Sequence, residues 1–144
     1  MREFVFRLKK GDFLKESIKS ICESKNIKAG VVVSSVGSLT KARIRNAGAT
    51  KIVELNQDLE ILSLNGTVSE KRIHLHITVS DKELKTYGGH LEDGTVVNST
   101  CELVILELDK YEFDKYFDDS TGYNELLIKE KNRWYHLQKN TILL

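Results

Sequence analysis

Ile73-His74-Leu75-His76-Ile77-Thr78-Val79-Ser80 alternates between apolar and polar residues without a break. A period of two marks a β-strand with one buried face. Ile73, Leu75, Ile77 and Val79 share one face; His74, His76, Thr78 and Ser80 share the other. Both imidazoles therefore project the same way, close enough to converge on one ion. A second strand over residues 84–91 follows, carrying Gly88-Gly89-His90-Leu91. With Asp81-Lys82-Glu83 as a three-residue hairpin loop, Ser80 pairs with Leu84, His74 faces His90, and His76 faces Gly88. Ile77 then faces Tyr87 and Ile73 faces Leu91, so both faces are chemically consistent. A two-residue loop would set His90 against Ile73 and break the pattern. Gly88 and Gly89 leave room beside His76 and can accommodate a bulge.

The same period governs most of the chain. Phe4, Phe6 and Leu8 alternate with charged or smaller residues, predicting a first strand. Gly11-Asp12 punctuates it, with Asp12 placed as helix N-cap. Leu14, Ile18, Ile21 and Cys22 then fall on one helical stripe, with Lys15, Glu16, Lys19 and Glu23 turned to water. Asn26 ends this helix. Val31-Val32-Val33 predicts a strand buried on both faces and closed by Gly37-Ser38. Ala42 and Ile44 alternate with Lys41, Arg43 and Arg45. A strand from Leu59 is ended by Asn65-Gly66, and Leu103 to Leu106 and Glu125 to Ile128 supply two more. One helix among about eight mostly antiparallel strands predicts an α+β class: a curled sheet packed against one main helix, a two-layer sandwich.

With 144 residues and 16.4 kDa, the chain reads as one domain, 1–144. That size buries a core without metal or disulfide staples. Lys and Arg total 22 against 21 Asp and Glu, a formal charge of +1, which excludes a surface uniformly adapted to nucleic acid. No apolar run reaches the roughly 20 residues of a membrane span, and the N-terminus lacks a signal-peptide pattern. The two cysteines, Cys22 and Cys101, read as reduced core thiols of a cytoplasmic protein, with one bridge or a reactive thiol as alternatives. Proline is absent, so the turns rest on Gly, Asn, Asp and Ser.

His74, His76 and His90 provide the ligands of an open three-histidine site for a divalent transition metal. Zinc is the first expectation; imidazole also suits copper, nickel and iron. His-x-His alone is equally an ordinary pair of surface histidines, and the register-matched third histidine is what favours metal. His136, near Trp134 and Tyr135, is set apart as a packed surface side chain. One divalent ion would raise the formal balance from +1 to +3 and concentrate charge at one cavity, where a small anionic ligand is expected.

Val36-Gly37-Ser38-Leu39, Leu59-Glu60-Ile61-Leu62-Ser63-Leu64-Asn65-Gly66-Thr67, His74-Leu75-His76, Gly88-Gly89-His90-Leu91 and Thr121-Gly122-Tyr123-Asn124-Glu125-Leu126 occur in that order. The series resembles the PPC (plants and prokaryotes conserved) domain over about residues 3–128, leaving 129–144 as a C-terminal extension. The resemblance implies a mixed α/β fold, a homotrimer with its interface around residues 50–67, and the DNA-binding label given to family members. It also aligns a basic residue of the family with Lys115. The AT-hooks of plant members are absent. The fold is similar, too, to that of acetolactate decarboxylase, where an HxH and a later His hold zinc.

Three functions compete. The first is an oligomeric module with a metal site and a binding or regulatory role. The second is a zinc-dependent lyase or hydrolase acting on a small carbonyl or ester, with Glu102 or Glu92 as proton-transfer group. The third is DNA binding by Lys41, Arg43 and Arg45 and a basic tail of Lys129, Lys131, Arg133 and Lys139, opposed by the acidic stretch Glu112, Asp114, Asp118 and Asp119.

Overall fold

The computed structural model describes residues 1–131, 133 and 134, so His136, Tyr135 and Lys139 lie outside the described residues, as do the side chains of Arg133 and Trp134. In chain order the elements are β1 (Glu3–Lys9), α1 (Leu14–Ser24), β2 (Gly30–Arg45), β3 (Ile52–Leu55), β4 (Leu59–Val68), β5 (Ile73–Ser80), β6 (Thr86–Leu91), β7 (Val96–Glu107), β8 (Tyr111–Asp118), β9 (Tyr123–Glu130) and β10 (Arg133–Trp134). Seven strands form one sheet in the order β1-β7-β2-β4-β5-β6, with β3 beside β2. β8, β9 and β10 form a second, three-stranded sheet. Every pairing among the described residues is antiparallel. β6 also returns to β2, with Ile44 against Leu91 and Arg45 against His90, so the large sheet curls back on itself.

α1 packs its stripe on this sheet: Leu14, Ile18 and Cys22 are fully buried with Leu39, Leu75, Val97, Cys101, Leu103 and Ile105. Each buried Leu or Ile contributes about 1.5–3 kcal/mol relative to exposure. The fold class expected from periodicity is the one observed. Among the described residues, no helix is long and apolar enough to cross a membrane. Both thiols are free and buried, and burial pushes Cys22 up to about 12.

Local details differ from expectation. Phe13 occupies the N-cap position of α1 without a side-chain cap; Asp12 instead accepts the Lys9 N–H at 2.8 Å and closes the preceding turn. Lys15 and Glu16 do not simply face water. Lys15 meets Asp93 at 3.2 Å, and Glu16 accepts the Gly94 N–H at 2.7 Å. Asn26 does end the helix, in the left-handed region at φ 53°. Val31 to Val33 are not buried on both faces, because α1 covers only one: Val32 is 6% exposed and Val33 57%.

Gly37-Ser38 and Asn65-Gly66 do not end strands; both pairs lie inside them. These glycines permit close approach of the neighbouring strand. A Cβ on Gly37 would sit 2.1 Å from the Thr100 carbonyl oxygen, and one on Gly66 2.0 Å from that of His74. The sequence pattern does not announce β3, β8 or β10. β8 runs through the acidic stretch, where Phe113 is the buried anchor.

The first strand and the seventh close the large sheet at one edge, pairing Glu3 with Leu106 through to Lys9 with Thr100. Next to this edge the N-terminal amine meets Asp109, and Arg2 meets Glu107. β8 is fixed beside the β4–β5 turn. The Phe113 N–H donates to the Lys28 carbonyl at 2.9 Å, and the Ser69 hydroxyl donates to the Phe113 carbonyl at 3.1 Å.

Asp114 accepts Lys71 and Lys129, each at 2.8 Å, and these ammonium groups hold its carboxyl well below the usual carboxylate range. A carboxylate whose pKa falls on folding stabilises above its unfolded value and loses that contribution as pH drops toward the folded one. Asp114→Asn is therefore expected to cost about 1–2 kcal/mol at neutral pH. Urea unfolding should show the gap to wild type narrowing between about pH 5 and about pH 3.

Candidate metal centre

β5 turns Leu75, Ile77 and Val79 into the core, each 1% exposed or less, and this fixes which face its histidines take. β6 is then set by the hairpin loop. That loop has five residues, Asp81 to Lys85, so Ser80 pairs with Thr86, His76 with His90 and Thr78 with Gly88. The expected pairs, Ser80 with Leu84 and His74 with His90, are displaced by two residues. The Asp81 carboxylate is the cause: it accepts the backbone N–H groups of Glu83 at 3.0 Å and Lys85 at 2.9 Å. Leu84 adopts φ 64° and donates its N–H to the Asp81 carbonyl at 2.9 Å. A two-residue displacement preserves parity, so His90 still shares the face of His74 and His76. Gly89 lets β6 lie against β2, since its Cβ would stand 2.5 Å from the Arg45 carbonyl oxygen.

The three rings gather closely. Their centroids lie 5.3 Å apart for His74 and His76, 5.1 Å for His74 and His90, and 5.6 Å for His76 and His90. One nitrogen from each falls within 4.8 Å of the others. Nitrogens around a tetrahedral zinc lie about 3.3–3.4 Å apart, so small ring rotations would complete the set. The electrostatics suit the task. Burial, then the charge of Arg45, pushes His90 down to about 4, and burial followed by Arg72 lowers His74. Both imidazoles are thus presented neutral, as ligation requires. The His90 Nδ1 is buried without a hydrogen-bond partner among the described residues, an unmet polar atom that a metal or its ligand shell would satisfy. The residues present fit a divalent transition metal.

A cleft of about 470 Å³ opens beside His74 and His90. Arg45, Arg72, Lys115, Tyr123 and Glu125 line it. The β8–β9 hairpin supplies the last three, so Tyr123, Asn124 and Glu125 of the Thr-Gly-Tyr-Asn-Glu segment belong to this site. Arg72 donates to the His74 Nδ1 at 2.9 Å and to the Thr67 hydroxyl at 3.4 Å. Sequence reading did not single out Arg72, Tyr123 or Glu125 for this site. Only the ordered motif after Asp118 pointed toward the hairpin.

The other candidates separate. Glu92 forms an ion pair with Arg45 at 3.6 Å, and through Arg45 it adjoins the cleft. Glu102 is exposed on β7, paired with Arg7 and Val36. Val36 lies nine positions from Arg45 along β2, about 25–30 Å at the strand rise, so Glu102 is remote from the histidines. Lys41, Arg43 and Arg45 do share the polar face of β2. Arg43 meets Glu54 at 3.4 Å, however, and Arg45 meets Glu92.

Comparison with known proteins agrees with this architecture. The chain is 37% identical over 130 residues to the "Bifunctional protein GlmU" of Synechococcus sp. (strain JA-3-3Ab), covering 90% of this chain and 21% of that protein. It thus spans about a fifth of the length of the curated relatives it matches. A hypothetical protein from Salmonella cholerae-suis superposes with a TM-score of 0.87 at 33% identity, covering 90% of this chain and 94% of the other. The metal-containing protein AF0104 of Archaeoglobus fulgidus superposes with a TM-score of 0.76 at 32% identity, covering 88% and 94%. Residues 1–109 match a family model that spans the helix, the large sheet and all three clustered histidines, and the chain belongs to the Plants and Prokaryotes Conserved (PCC) domain family.

Proposed function

We propose that this protein is a metal-binding module in which His74, His76 and His90 hold one divalent transition ion, zinc in the first instance, and that the adjacent cleft receives the ligand it senses or carries. The observation that carries this reading is the convergence of three imidazole nitrogens within 4.8 Å on the wall of an open cleft. The metal-containing description of the Archaeoglobus relative supports it. So does the size of the Synechococcus relatives, where the matched region is a fifth of a longer protein. A homotrimer, as the family resemblance implies, has support in the exposed apolar residues of the strands: Val5, Val33, Val36 and Leu62 are each more than half exposed.

The test is metal analysis of protein purified without added zinc. About one transition ion per chain is expected, falling to a trace in His76→Ala; trace metal in both proteins would remove the reading. Light scattering on the same sample reads the chain number.

An enzymatic role is the second reading, favoured by the Glu125 carboxylate in the cleft with the histidines. A bound divalent ion would supply Lewis acidity there, and Glu125, which lines the cleft with the histidines, would serve as the proton-transfer group in place of Glu102. Turnover of small 2-oxo acids or esters by the metal-loaded form, absent from the metal-free form, would establish it. DNA binding has less support in the geometry, because Arg43 and Arg45 already face carboxylates.

A further inference from the structure

The charges around the cleft do not balance. Arg45, Lys71, Arg72 and Lys115 line it against one carboxylate, Glu125. Lys71 is engaged by Asp114 and Arg45 by Glu92. Arg72 and Lys115 differ from these two. Among the described residues, both hydrogen-bond acceptors of the Arg72 guanidinium are neutral, Thr67 and His74, and no carboxylate lies in ion-pair range of it. Lys115 is exposed, and its ammonium has no ion-pair partner among the described residues. A half-buried arginine with no carboxylate in ion-pair range, on which Glu125 acts only from a distance, and a lysine lining the same open cleft together suit an oxyanion: a planar fork for two oxygens and a point charge for the third.

The contact between Arg72 and His74 adds a second element. A guanidinium can only donate, so the His74 Nδ1 must accept, and the ring proton then sits on Nε2. Ligation of a metal ion by either nitrogen ends this contact. Ligation through Nδ1 consumes the lone pair that Arg72 uses. Ligation through Nε2 moves the ring proton to Nδ1, where two donors would face each other. Arg72 must turn away in both cases, and the cleft it lines is open to receive it.

We propose that the cleft binds a small oxyanion, a carboxylate or phosphate group carried by a small molecule, on Arg72 and Lys115, and that metal loading of the histidines strengthens this binding by releasing Arg72. The coupling rests on the metal reading above; the anion site itself does not. Metal and anion are then positively linked, each raising the affinity for the other by the same factor.

Calorimetric titration of the metal-free and zinc-reconstituted chain with inorganic phosphate and, separately, malonate tests this. The two anions distinguish phosphate from carboxylate preference. Zinc-loaded protein is expected to bind one of them about tenfold more tightly than metal-free protein. Lys115→Met, at an exposed position, should weaken binding about tenfold in both forms while leaving the zinc content unchanged. Arg72→Met should weaken anion binding by a similar factor yet increase zinc affinity in a chelator competition. Opposite signs on two ligands are not what a merely structural residue produces. Arg72→Lys should recover part of the anion binding. If Arg72→Met does not fold, Lys115→Met alone decides the anion site. Absence of binding in both forms up to about 50 mM anion, or wild-type affinity in Lys115→Met, overturns the site. Equal anion affinity with and without bound zinc overturns the coupling. A wild-type chain that takes up no zinc fails the metal reading, and the metal-free titrations still decide the anion site.

Discussion

Gly66→Ala is expected to abolish soluble, folded protein, a large effect for a single added methyl group. The added carbon would sit 2.0 Å from the His74 carbonyl oxygen and 3.0 Å from the Leu75 Cα, against backbone that no rotamer change can move aside. Relief requires β4 and β5 to separate at Gly66 and Leu75, inside their ladder. Leu75 is fully buried there, so parting the strands also opens the core. A cost of about 4 kcal/mol or more is expected, a large share of a typical domain's stability. Asn65→Ala, one residue earlier and exposed, should cost within about 0.5 kcal/mol. Soluble yield and urea unfolding of the two variants check this. Near-equal stability would mean that the strands do not approach so closely.

The second large effect lies at His90, where stability and metal binding should move in opposite directions. In the metal-free chain His90 is a liability, with its Nδ1 buried and without a hydrogen-bond partner among the described residues and its ring partly desolvated. Replacing an unsatisfied buried polar group by an apolar one is neutral or stabilising. His90→Leu should therefore unfold at the same urea concentration as the metal-free wild type, or higher. With zinc the order reverses. Zinc at about a thousandfold excess over its Kd adds about 4 kcal/mol to a chain that retains the site. That corresponds to a rise in melting temperature of about 10 °C or more, which His90→Leu should lack. Melting curves with and without zinc read both halves. A zinc shift that survives in the variant would show that the ion binds elsewhere.

How much of this the sequence discloses depends on the range of the interaction. The strict alternation of Ile73 to Ser80 is local, and it gives the strand, its buried face and the common direction of His74 and His76. The third histidine depends on the loop. Its face survives an error in loop length because parity is unchanged by two residues, whereas its partner does not. In the ladder His90 pairs with His76 and not with His74, because Asp81 folds its side chain over a five-residue turn. Asn65-Gly66 has the composition of a turn, yet it lies inside β4, where a glycine serves the neighbouring strand. No local pattern separates these two uses. Arg72 is the least legible member of the site. Its importance comes from a hairpin some 50 residues later that folds over it, a long-range juxtaposition with no periodic trace.

The pairing of β1 with β7 also determines where the chain enters and leaves the matched region. Glu3 lies against Leu106, and the N-terminal amine contacts Asp109, so the two ends of residues 1–109 emerge side by side. A unit whose entry and exit adjoin can be spliced into a longer polypeptide without forcing its host's ends apart. That geometry makes the unit portable.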